Sequence, residues 1–108
     1  MTVLKDELVN RLEQIPGLTH KSWPGRDDGF STIHFNGKEI GHFHNCNELD
    51  LRLGKKLIKQ EGLAHHPDSV NHPNRSMNSQ YVELRFHEHR DLEPVVRLVN
   101  LLVQELLR

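Results

Sequence analysis

The sequence predicts an α+β domain of two layers, an antiparallel or mixed sheet with helices packed mainly on one face, in the order α-β-β-β-β-α-β-α. Three observations carry this. Both ends of the chain have apolar residues at helical spacing. The stretch from Ser31 to Leu53 alternates with a period of two around an Asn36-Gly37 turn. No linker or composition break divides the 108 residues, so residues 1–108 are expected to form a single domain.

The first helix is read from "TVLKDELVNRLEQIPG", where Leu4, Leu8, Leu12 and Ile15 recur with charges between them, and Pro16-Gly17 stops it. "LTHKSW" then alternates weakly as a short strand over 18–23. "PGRDDG" supplies turn chemistry, since its proline, glycines and paired aspartates have no use inside a sheet. "STIHF-NG-KEIGHFH" is a hairpin, because Asn and Gly both tolerate positive φ. After the "NCNE" turn, "LDLRL" puts Leu49, Leu51 and Leu53 on one face, and Gly54 ends the strand.

"KKLIKQEGL" allows about two helical turns, with Gly62 as its cap. From His65 to Asn78 the chain is polar and aperiodic, at the upper edge of ordinary loop length, and such a loop is functional or mobile. "QYVELRFH" is a strand with Val82, Leu84 and Phe86 inward. Asp91 is expected to cap a helix running through Leu107, with Leu92, Val95, Val96, Val99, Leu102, Val103 and Leu106 as its core stripe. Each strand has one apolar face to cover, so helices on one side of a single sheet are the natural packing. Phe43, Leu51, Leu84, Val95, Val99 and Leu102 are expected in the core.

Fourteen basic and fifteen acidic residues give a formal charge of -1. That balance disfavours nucleic acid as a partner, which needs a cationic footprint. One cysteine excludes an intrachain disulfide and fits a reducing compartment. The N-terminal stretch lacks the apolar run of a signal peptide, and no segment is apolar enough to span a membrane. The expectation is a cytoplasmic protein without a membrane partner.

Nine histidines are the compositional oddity. His42 and His44 lie two apart on a strand and therefore share a face. A regular two-residue hairpin would pair Ile33 with Ile40 and Ser31 with His42, placing Ile33, Phe35, Ile40 and His42 together. That conflicts with a wet histidine face. Either the hairpin carries a bulge, or both faces are partly apolar and a second copy covers one, which makes a twofold homo-oligomer the expected assembly. Two histidines at this spacing are a legitimate pair of metal ligands, but zinc needs three or four groups. A third is sought in His65, His66 or His87. No CxxC, HExxH or calcium-loop spacing is present. Cys46 lies in a turn as a small filler, and Glu39, Glu48 and Asp50 are carboxylates around the same region.

Gly37, Glu39, Ile40, His42 and His44, then Asp50, Gly62, His66 and Pro67, then Arg85, Asp91 and Glu93 resemble the luciferase-like domain family over residues 30–105. Leu63, where an aromatic is common, and the final "RFHEHRD" depart from its pattern. The resemblance implies a small α+β domain, and light emission is not to be inferred from it. It also implies a shared functional surface at His42, His44 and His66, whose ligand it leaves open.

Two functions compete. One is a small binding or regulatory domain with a histidine-lined surface, whose ligand candidates are His42, His44, His65, His66 and Arg85. The other is a metal-dependent or histidine-based enzyme acting on a small molecule, with His42, His44 and His66 as the metal candidates. Sequence assigns no cofactor, and it does not say which histidines converge.

Overall fold

The computed structural model describes residues 3–23, 25–26, 28–70, 72, 74–76 and 78–108. Thr2 of the first predicted helix, Pro24 and Asp27 of the predicted turn, and Asn71, Pro73 and Met77 of the long loop lie outside the described residues. The elements are α1 (Val3–Leu12), β1 (Leu18–Ser22), β2 (Ser31–Phe35), β3 (Lys38–Phe43), β4 (Glu48–Leu51), α2 (Lys55–Gln60), β5 (Val82–Arg85) and α3 (Leu92–Leu106), the last preceded by a 3₁₀ turn at His89–Asp91. This is the predicted order, and the sheet is wholly antiparallel with its strands in sequence order β1-β2-β3-β4-β5.

The Asn36-Gly37 turn forms as expected, with φ of 49° and 85°. Two residues on, the ladder departs from the regular register. Phe35 pairs with Lys38 and His34 with Glu39, but Ile33 pairs with Gly41, so Ile40 is an extra residue in β3. The bulge resolves the conflict between Ile40 and His42. Ile33, Phe35 and Ile40 are all buried, and His42 falls opposite Thr32 on the other face.

Two rows therefore run side by side across the sheet. Ser31, Phe43, Leu49 and Leu84 are successive cross-strand partners facing the helices. Lys21, Thr32, His42, Asp50 and Glu83 are the neighbouring row, turned away from them. On the helical side the core joins Leu8 and Leu12 of α1, Val95, Leu98, Val99 and Leu102 of α3, and the apolar strand residues, with Phe43 and Phe86 edge to face. All six residues expected in the core are buried there.

The stripe of α3 is rotated slightly from the predicted one. Leu98 is buried, Val96 is half-buried and Leu106 is 45% exposed. Asp91 acts backward rather than forward: its carboxylate accepts the amides of His87 and Glu88, closing the 3₁₀ turn, and makes no side-chain cap for α3. Gly62 ends α2 as predicted, with Leu63 N–H bonding to Ile58 O and Gly62 N–H to Lys59 O.

Most of the polar row is shielded from water, with Lys21 exposed at its edge and His42 half-buried. Thr32 and Asp50 are each 1% exposed and Glu83 is 4% exposed. Trp23 and Phe30 from the β1–β2 connection, and Ser69, His72 and Arg75 from the α2–β5 connection, reach onto this face. Segments of the chain itself thus cover much of this face.

Candidate metal centre

His42 and Asp50 meet because the bulge and the β3–β4 register place them opposite each other at the middle of the sheet. The Asp50 Oδ2 is 3.6 Å from His42 Nε2. His44 follows two residues after His42, its ring edge-on to that of His42 at 4.6 Å between centroids. The fourth member comes from the α2–β5 connection: His72 Nε2 is 3.4 Å from Asp50 Oδ2 and 2.9 Å from His44 Nε2. Each of the four residues offers one ligand atom, and these atoms all lie within 4.8 Å of one another.

Zinc bonds of about 2.0–2.1 Å at tetrahedral angles put ligand atoms about 3.3–3.5 Å apart. The separations of 3.4 and 3.6 Å match this edge, and that of 2.9 Å needs a small outward turn of one ring. Imidazole nitrogen with one carboxylate is a donor set suited to zinc and other late divalent ions. The surroundings are organised around the set. Glu39 Oε2 is 3.6 Å from His42 Nδ1, on the side of the ring away from Asp50 where a second carboxylate can orient a ligand imidazole. Ser69 Oγ accepts the backbone N–H of His72 and donates to Glu83 Oε1 at 2.6 Å, tying the loop ligand to the sheet. Phe30 and Tyr81 flank the His42 ring at 5.8 and 6.1 Å.

Electrostatics favour neutral imidazole here. Burial pushes the His44 pKa below its ordinary value, and the neighbouring His42 and His72 push it further, against the opposing pull of Asp50 and Glu48. Burial would raise the carboxyl pKa of Glu83, but hydrogen bonds from Ser69 and Arg85 outweigh it and keep the group ionised. Arg75 holds both oxygens of Asp50, Nη2 lying 2.9 Å from Oδ2. A carboxylate has about four lone-pair sites, so Oδ2 can accept Arg75 and still face the imidazoles.

The sequence candidates divide between two places. His42 and His44 are in the cluster. His65, His66 and Arg85 line a cavity of about 600 Å³ between the chain after α2, strand β5 and α3, and His65 and His66 also border a small gap beside His72 and Arg75. Both ring nitrogens of His65 are buried without a hydrogen-bond partner among the described residues. The third imidazole of the cluster is His72 rather than His65 or His66, and His87 is exposed elsewhere. Cys46 is outside the set. His72, Arg75 and Ser69 went unnoticed because they sit in an aperiodic stretch, where the only signal was the length of the loop. Asp50 was visible as a carboxylate but not as the cross-strand partner of His42, since that depends on register.

A family model described as the Luciferase domain matches residues 37–101, a span that contains all four members of the cluster. No curated protein and no solved structure matches the chain.

Proposed function

The chain belongs to the luciferase domain family, and from that premise we propose that His42, His44, Asp50 and His72 bind one divalent transition-metal ion, zinc in the first place. The observation that carries this reading is the convergence of four ligand atoms within 4.8 Å. Four protein ligands make a closed centre of the structural kind, so the domain is a metal-binding module in which the ion joins the α2–β5 connection to the sheet.

A metal-dependent enzyme is the alternative, and one observation favours it. Arg75 already engages Asp50, and an Asp50 kept by Arg75 leaves three imidazoles with an open position for water or substrate. The cavity lined by His65, His66 and Arg85 is the space available for a small-molecule ligand.

The test is zinc titration of chelator-treated, tag-free protein by calorimetry, with elemental analysis of the product. One zinc per chain is expected, lost in His42→Ala and His72→Ala and kept in His66→Ala. No stoichiometric zinc, or binding indifferent to His42 and His72, overturns the proposal. Cobalt substitution separates the two readings: azide shifts the visible spectrum of an open centre and leaves a closed one unchanged.

A further inference from the structure

The buried residues of α1 are Lys5, Leu8, Val9 and Leu12, so a lysine occupies a position of the helix's core-facing stripe. It is 8% exposed. Its Nζ donates to the carbonyl of Gly29 at 2.5 Å and lies 4.9 Å from the centroid of the Phe43 ring. A buried ammonium is costly unless its charge is well compensated, and an alkyl side chain would serve the stripe better. The lysine side chain is also among those that line an open cavity. This cavity, of about 370 Å³, is lined by Lys5, Asp6, Val9, Asn10, His20 and Ser22. His20 is fixed within it, with Nε2 2.8 Å from Ser31 Oγ.

We propose that the Lys5 amine is a nucleophile that condenses with a small hydroxylated aldehyde held in this cavity. A cavity of this volume holds a small molecule, and Asn10, His20 and Ser22 line it with hydrogen-bonding groups suited to hydroxyls. In the reaction the amine nitrogen bonds to the aldehyde carbon as the carbonyl π electrons move to oxygen. A proton passes from nitrogen to that oxygen, giving a carbinolamine, and loss of water leaves the imine. No electrons are gained or lost overall, and no co-reactant is needed. His20 lines the same cavity and is the group available to move the proton.

The electrostatics agree with this role. Burial lowers the Lys5 pKa against the opposing influence of Cys46, Asp6 and Asp28. The same environment lowers that of His20, through burial and the positive charge of Lys5, against Glu13 and Asp6. Both groups are thereby held closer to their neutral forms at physiological pH, as a nucleophilic amine and its proton carrier require.

The experiment treats the full chain with glyceraldehyde and cyanoborohydride at neutral pH and maps the reduced adducts by mass spectrometry. Lys21, Lys38, Lys55, Lys56 and Lys59 are all exposed, so accessibility alone would favour them. The expected result is labelling of Lys5 faster than any of these, with a rate that saturates in aldehyde. Equal or slower labelling of Lys5 overturns the proposal, and so does a rate linear in aldehyde, which shows reaction without a binding site. Both readings come from the wild-type protein, so they do not depend on whether Lys5→Met folds. Where that variant does fold, it is expected to lose the fast phase.

Discussion

Asp50 stands opposite His42 on the neighbouring strand, its Oδ2 3.6 Å from the ring Nε2, in the middle of a five-stranded sheet. Asp50 is buried and His42 half-buried on the face that carries no helices, and Arg75 supplies the nearest full positive charge. Asp50 is thus both a candidate ligand and the counter-ion of a largely buried guanidinium.

Replacing Asp50 by asparagine removes the charge with little change of shape and leaves Arg75 unpaired. Breaking a buried pair on one side costs about 3–5 kcal/mol, to be read from urea unfolding of the metal-free protein. The double variant Asp50→Asn with Arg75→Met is expected to recover much of that stability without recovering zinc affinity. A double variant no more stable than Asp50→Asn alone would contradict the counter-ion role.

Gly41 stands between the bulge and His42, and a Cβ there would lie 2.9 Å from the backbone oxygen of Asp50. The obstacle is main chain and cannot swing away. Gly41→Ala should cost about 1–3 kcal/mol by overpacking and weaken zinc binding, because it separates His42 from Asp50. Calorimetric titration of the folded variant checks the second effect apart from the first.

The pKa of His20 is lowered on folding by burial and then by Lys5. The folded state therefore binds this proton less readily than the unfolded chain, whose histidine titrates near 6.5. The sign follows: the neutral ring is no burden above about pH 6.5, and stability falls as pH drops through that value toward the folded pKa. Unfolding curves at mildly acid and neutral pH should show this loss in the wild type and a smaller one in His20→Gln. Parallel pH dependences would remove His20 from the account.

Val99 is fully buried where α3 meets the sheet. Val99→Ala should cost about 1–3 kcal/mol from lost transfer energy and the cavity left behind. An unchanged urea midpoint would count against the packing of α3 described above.

The fold was legible because its signals are local. Leu8 and Leu12, the Asn36-Gly37 turn and the alternation of Leu49 and Leu51 each depend on residues a few positions away. The site was only half legible for the same reason. His42 lies in β3 and His44 just past its end, so their spacing of two still brings them together, and even the clash between Ile40 and His42 correctly signalled an irregular hairpin. Which of the two remedies the chain uses was not readable, since a bulge leaves no mark in composition. His72 lies 28 residues from His44, and no period links them. Its position depends on Ser69 docking against Glu83, a tertiary event that sequence spacing does not encode.

The bulge at Ile40 also bears on which changes of length the hairpin can absorb. Strand β3 carries one residue more than its pairing with β2 requires, and the surplus lies between the turn and His42. Loss of a single residue there restores a regular ladder and leaves His42 opposite Thr32. The price is that the buried Ile40 side chain, or a neighbour in its place, is given up. Gain of one residue finds no such slack: it either enlarges the irregularity or reverses the parity of everything beyond it, sending Phe43 toward the loops and His42 toward the helices. Among related chains, deletions should therefore be found in this hairpin more often than insertions, while the long connection before β5 should vary in length on either side of the anchored Ser69 and His72.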